Sequence, residues 1–170
     1  MATLKEYVAR KDQLLAEGKD PWYDAELRAW RDGLEIELLV RDNIHLLTYP
    51  DGHSIQCEIA PGWFSLVGDC LAELANDWKD VRFKDYRLHF VQIKEKFGGL
   101  RMYYNISHTS DEVEHVNPDF IYETIRARVD AAISKAAKTC EDCGEPGDLS
   151  NCGGWVQTLC STHARMKAAR

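Results

Sequence analysis

Four of the six cysteines and one of the six histidines fall in the stretch CEDCGEPGDLSNCGGWVQTLCSTH, residues 140–163. Cys140 and Cys143 form a C-x2-C pair, and Cys160 and His163 form a C-x2-H pair, with sixteen residues between them. That interval lies in the range of roughly 15–20 residues found between the two knuckles of a zinc site. A two-residue gap lets both side chains of a pair turn toward one ion while the backbone curls around them. Zinc takes four ligands at tetrahedral angles, and thiolate plus imidazole suits it. Gly144, Gly147, Gly153 and Gly154 permit the tight turns such a site needs. The expectation is a structural Zn2+ held by Cys140, Cys143, Cys160 and His163, with Trp155 placed to cover it from one side. Cys152 is either a spare thiol or a replacement ligand, and the two-pair set is preferred because Cys152 has no partner at knuckle spacing. A redox role for the C-x2-C pair calls for a βαβ setting, which the sequence does not suggest. Catalytic zinc needs an open coordination position, which four protein ligands do not leave.

A second group of candidate residues lies in LHFVQIKEKFGGLRMYYNI, residues 88–106. Gly98-Gly99 between two strand-like runs has the form of a two-residue β-hairpin turn. Pairing outward from that turn sets Phe97, Glu95, Ile93 and Val91 against Leu100, Met102, Tyr104 and Ile106. This face is apolar except for Glu95. The opposite face pairs Lys96 with Arg101, Lys94 with Tyr103 and Gln92 with Asn105, and it is basic. A like-charge cross-strand pair is destabilising unless something negative sits beside it. The bland reading is that a carboxylate of this acidic chain does so. The sharper reading is an anion or ligand site made by Lys94, Lys96, Arg101 and Tyr103, with phosphate held by the cations and a base stacked on the tyrosine. Glu95 on a core-facing side would need a partner or a raised pKa.

Thr3 to Glu6 has capping-box spacing and opens a helix that ends near Gly18. Asp20-Pro21 starts a second helix running to about Asp32. Leu34, Ile36, Leu38 and Val40 alternate with other residues and predict a strand. Pro50-Asp51-Gly52 predicts a turn between two short strands within 44–59. Trp63, Val67, Cys70, Leu71, Leu74 and Trp78 fall at helical spacing, with Cys70 as a small core residue. Asn117-Pro118 opens a long helix over about 118–138, with Ile121, Ile125, Val129, Ala132, Ile133 and Ala136 as its buried stripe. The fold class is therefore α+β: a small antiparallel sheet with packed helices and a C-terminal zinc-ribbon or knuckle module. An α+β body covers 1–139, and the module covers 140–170, fused to the helix end without a flexible linker. The closing ARMKAAR reads as a solvated helical end.

The chain has 170 residues, 45% of them hydrophobic, which suits one domain with a small appendage. The N-terminus lacks the apolar run of a signal peptide, and no window approaches the ~20 apolar residues of a membrane span. The expected compartment is the cytoplasm, reducing and unfavourable to disulfides. The net charge of −7 opposes nucleic-acid binding, and the module offers only Arg165, Lys167 and Arg170 against Glu141, Asp142, Glu145 and Asp148.

QIKEKFGGLRMYY, followed by TCEDCGEPG and GGWVQTLCSTHA, resembles a group of phage- and prophage-encoded proteins of uncharacterised function. Their pattern joins an IKEKFGGLR-like hairpin to a C-terminal CxxCG…GGW…TLCxxH module. The match runs from about Gly62 to Ala164. The resemblance implies a small viral accessory protein acting in the cytoplasm of a bacterial host. It supplies no catalytic residue, and the metal ligands carry over by position only.

Two functions are in view. The first is a binding or inhibitor module that grips a host macromolecule, such as a defence protein, with zinc holding its fold. The second is sequestration or turnover of a nucleotide or other phosphate ligand on the basic hairpin face. Glu95 and His89 would be the nearest acid–base groups for turnover. No nucleophile elbow, P-loop or HExxH motif is present, and no catalytic residue is assigned. His45, His53, His108 and His115 are scattered.

Overall fold

The computed structural model describes residues 2–49, 51–109 and 118–169. The first helix, α1, spans Leu4–Ala16 and opens with the capping box, in which Glu6 accepts from the Thr3 N–H at 2.7 Å. The second helical stretch departs from expectation. Asp20 caps only a 3-10 turn, Pro21–Tyr23, and Asp24 then caps α2, Ala25–Glu35. The chain next runs into a π-helical turn, Ile36–Val40, where the Arg41 N–H reaches back five residues to the Ile36 carbonyl.

The strand predicted over Leu34 to Val40 is therefore absent. A strand would place Leu34, Ile36, Leu38 and Val40 on one face. Instead Leu34 and Leu39 are buried and Ile36 is 55% exposed. The run LEIELLV satisfies either period on its own, and packing against the next long helix selects the helical one. Asn43, which follows, fixes the crossing by donating to the carbonyls of Leu39 and Gly68.

A short helix, α3 (Ile44–Leu47), leads into the Asp51-Gly52 turn, flanked by a single Thr48–Ser54 bridge rather than by two strands. Pro50, part of the predicted turn, lies outside the described residues. A two-residue strand, β1 (Cys57–Glu58), precedes a 3-10 turn at Pro61–Trp63 and helix α4 (Phe64–Asp77). As the spacing predicts, α4 buries Val67, Cys70, Leu71 and Leu74.

The long hairpin consists of β2 (Tyr86–Lys96) and β3 (Gly99–His108). The sheet order is β1-β2-β3, with β2 and β3 antiparallel and β1 parallel to β2. The sheet is thus mixed, not antiparallel throughout. The turn residues are Phe97 and Gly98, both with positive φ (53° and 73°), one position earlier than expected. Positive φ at both central positions gives the twist that two-residue hairpins favour. Glu95 then pairs with Leu100, Lys94 with Arg101 and Lys96 with Gly99. A bulge at Val91 shifts the register beyond Gln92. Between the bulge and the tip the pairing moves by two in summed position and the side chains keep their predicted faces; beyond the bulge Phe90 and Leu88, rather than Val91, share a face with Tyr104 and Ile106.

Helix α5 spans Pro118–Ala136 and lays Ile121, Ile125, Val129, Ala132 and Ala136 into the core. Arg128 grips Asp77 of α4 through two hydrogen bonds, at 2.9 and 3.1 Å. The core is built around Trp63, Phe64, Leu71, Phe90, Ile93, Leu100 and Ile121. Burying each such side chain contributes roughly 1.5–3 kcal/mol. Among the described residues no helix is long and apolar enough to cross a membrane. The C-terminal segment adds a second hairpin, β4 (Asp148–Cys152) and β5 (Trp155–Leu159), and helix α6 (Ser161–Ala168).

Candidate metal centre

The chain leaves α5 through Lys138 and Thr139 and curls at once into the first knuckle. The Cys140 N–H donates to the Glu145 carbonyl at 2.7 Å, and the Gly144 N–H donates back to the Cys140 carbonyl at 2.9 Å. These two bonds close the loop that turns Cys140 and Cys143 the same way. The second pair comes from the start of α6, where Cys160 is the N-cap residue and His163 stands one turn in. The β4–β5 hairpin spans the interval between the pairs.

The ligand atoms of Cys140, Cys143, Cys160 and His163 all lie within 4.8 Å of one another, so the four residues could bind a metal ion. The Nδ1 of His163 is 3.5 Å from the Cys140 sulfur and 3.2 Å from the Cys160 sulfur. The Cys143 and Cys160 sulfurs are 3.9 Å apart. A tetrahedral site with Zn–S near 2.3 Å and Zn–N near 2.0 Å has S···S edges of about 3.8 Å and S···N edges of about 3.5 Å. These three edges are close to those of such a site. Cys152 stands outside it, with its sulfur 3.6 Å from the Ala164 carbonyl. All six cysteines are free thiols. Burial opposes ionisation of Cys140. The His163 ring and the backbone N–H groups of Cys160, Cys143 and Asp142 outweigh it and hold the thiol at about 6.

Three groups outside the cysteine segment build the surroundings, and spacing gave no sign of them. The first is Asp12 of α1, whose carboxylate lies 3.4 Å from His163 Nε2. That nitrogen is buried and has no hydrogen-bond partner among the described residues. With Nδ1 turned to the sulfurs and Nε2 toward a carboxylate, the ring has the arrangement that orients metal-binding histidines. The second is Lys11, next to it on α1, which pairs with Asp142 inside the first knuckle, while Lys167 of α6 pairs with the same carboxylate at 2.9 Å. Asp142 is buried, which alone would raise its pKa. The two ammonium groups more than compensate and hold it at about 2. The third is the tip of the β2–β3 hairpin, where the Gly98 carbonyl accepts from Thr158 Oγ1 at 2.7 Å. Gly62 completes the docking: its N–H donates to the Glu141 carbonyl at 2.8 Å. A Cβ at Gly62 would overlap the backbone oxygens of Cys140 and Glu141.

Trp155 does not cover the cluster. Its ring is 67% exposed and lines a neighbouring cleft. The C-terminal helix is no loose end either, since it supplies His163 and Lys167.

The hairpin residues divide. Lys94 and Arg101 are direct cross-strand partners, and the Lys94 ammonium lies 5.9 Å from the Tyr103 ring centre. Lys96 stands apart at the tip, opposite Gly99 and over the Phe97 ring. The like-charge pair is thus Lys94–Arg101 rather than Lys96–Arg101. Among the described residues none forms an ion pair with Lys94, Lys96 or Arg101, but Glu58 of β1 stands opposite Lys94 as its register partner. Glu95 is half-buried and accepts the Gly98 N–H at 2.6 Å. His89 is buried against Tyr49, six positions away along β2. The two do not form one acid–base site. His45, His53 and His108 are exposed, and His115 lies outside the described residues. Cys70 is a core thiol, pushed up to about 12 by burial.

No protein family, curated protein or solved structure matches this chain.

Proposed function

We propose that the protein is a binding module whose fold is locked by one structural zinc ion and whose surface engages a host macromolecule. The observation that carries this reading is the closed donor set of Cys140, Cys143, Cys160 and His163. Three thiolates and an imidazole suit zinc, and four protein ligands leave no position for water or substrate. The ion would hold the knuckle and ribbon-like hairpin against α1 and the β2–β3 tip. The resemblance of the hairpin and cysteine motifs to phage proteins supports a viral accessory role in a bacterial cytoplasm, with a host protein as partner. The acidic chain suits a partner that itself carries positive charge.

The test is metal analysis together with affinity capture from a bacterial host, using the intact protein. The reading predicts one zinc per chain and stoichiometric capture of one host protein. Turnover of a small substrate dependent on the cysteine cluster would contradict it.

A second reading, binding of a phosphate ligand or nucleotide, is favoured by the facing cations Lys94 and Arg101, which form no ion pair among the described residues, beside exposed Tyr103. Replacing both cations with alanine should leave the fold intact and abolish binding of a nucleoside triphosphate. Unfolding of the double variant would show that the pair is internally satisfied and would end this reading.

A further inference from the structure

A cleft of about 810 Å³ lies where α1, α2, β1, the hairpin tip and the cysteine module converge. Its volume falls in the range of ligand sites. Three independent features describe what it would take. The first is charge. Six carboxylates line it, from Asp20, Asp32, Glu35, Glu58, Glu95 and Glu141, against four cationic side chains. Two of those cations, Lys11 and Lys167, already pair with Asp142, and Arg31 pairs with Glu35. Among the described residues neither Glu58 nor Glu95 forms an ion pair, and Glu58 has Lys94 as its register partner on β2. The second feature is aromatic. Trp22 and Trp155, on separate elements, line the cleft and are 68% and 67% exposed. Indole faces attract cations. The third is backbone. Residues 56–60 line the cleft, and β1 is the edge strand of its sheet, bonded on one side only to β2. On the cleft side the Ile59 carbonyl accepts from Arg31 at 3.3 Å. An open edge is a template for an added strand.

We infer that this cleft docks an extended polypeptide segment carrying lysine or arginine, added along the β1 edge. Its cationic side chains meet Glu58 and Glu95 and lie against Trp22 and Trp155. Glu58 pairs with Lys94 and so lies on the face opposite Glu95, and adjacent basic residues, which project to both faces of a strand, suit the cleft. The assignment rests on the reading of the chain as a binding module and names the chemistry of its partner.

The test uses the 170-residue protein supplied with zinc and two blocked pentapeptides, acetyl-Val-Lys-Lys-Lys-Val-amide and acetyl-Val-Glu-Glu-Glu-Val-amide. Binding is read by calorimetry and tryptophan fluorescence. The basic peptide should bind at least about tenfold tighter than the acidic one and shift the tryptophan emission. The E58Q/E95Q variant should weaken it by about tenfold or more. Glutamine retains the volume and the acceptor that Gly98 needs, and the W22A/W155A variant, at two exposed positions, gives a second check. A basic peptide N-methylated at alternate amides should lose binding as well. Equal affinity for both peptides, no binding of the basic peptide, unchanged affinity in both variants, or preferred binding of an oligothymidylate would each overturn the assignment. The two failures separate cleanly. A captured host protein still held by E58Q/E95Q removes the cleft and leaves the binding-module reading. Basic-peptide binding with the predicted losses, but without any host partner, does the reverse.

Discussion

The carboxylate of Asp12 faces the Nε2 of His163 at 3.4 Å, across 151 positions of sequence. A carboxylate of α1 thereby faces a candidate metal ligand on α6. Outer partners of metal-binding histidines typically change affinity by about 10–100-fold when removed. Asp12→Asn should weaken zinc affinity by about that factor with the helix content retained. Competition against a chromophoric chelator measures it.

Asp142 sits between Lys11 and Lys167 in a buried position. Removing one partner of a buried ion pair costs about 3–5 kcal/mol because the remaining charge is left uncompensated. Asp142→Ala strands two ammonium groups and should lie in that range. Urea unfolding of the zinc-loaded protein reads the loss, and a change below about 1 kcal/mol would show that water reaches the lysines.

Gly62 has no room for a side chain beneath the first knuckle. Gly62→Ala should push the Cys140–Glu141 backbone outward and destabilise the fold by about 1–3 kcal/mol, the usual cost of overpacking. Zinc release to a chelator should accelerate in parallel. Stability lost without faster release would separate the docking of the knuckle from the integrity of the site.

Lys94 and Arg101 oppose each other as like charges across β2 and β3. Arg101→Glu converts repulsion into attraction and should stabilise the hairpin by roughly 0.2–1 kcal/mol. Thermal unfolding at low and high salt checks it, with the gain shrinking as salt rises.

The cysteine cluster was legible because knuckle spacing is a local property: two residues between ligands impose the curl whatever the rest of the chain does. The buried stripes of α4 and α5 were legible for the same reason. Asp12 was not, because its role depends on α1 docking against α6, and a single aspartate on a polar helix has no spacing signature. The hairpin faces were right near the tip, but the turn was not, and the bulge sets Phe90 and Leu88 where Val91 was expected. Adjacent Gly98 and Gly99 allow two turn placements of equal parity, and the docking of the Gly98 carbonyl on Thr158 goes with the earlier one. Leu34 to Val40 misled because LEIELLV fits two periods, and only contact with α4 decides between them. The parallel strand β1 is two residues long and is defined by its neighbour rather than by its own sequence. The cleft is likewise assembled from residues spread between Tyr7 and Lys167.

On the proposed reading one zinc ion, held by Cys140, Cys143, Cys160 and His163, locks α1 and the C-terminal module together. Native mass spectrometry of gently purified wild-type protein and of Cys160→Ser tests it most directly. The account predicts one zinc per wild-type chain, and loss of that zinc together with lowered stability in the variant. A wild-type protein without zinc, or a variant that retains it in full, would contradict it.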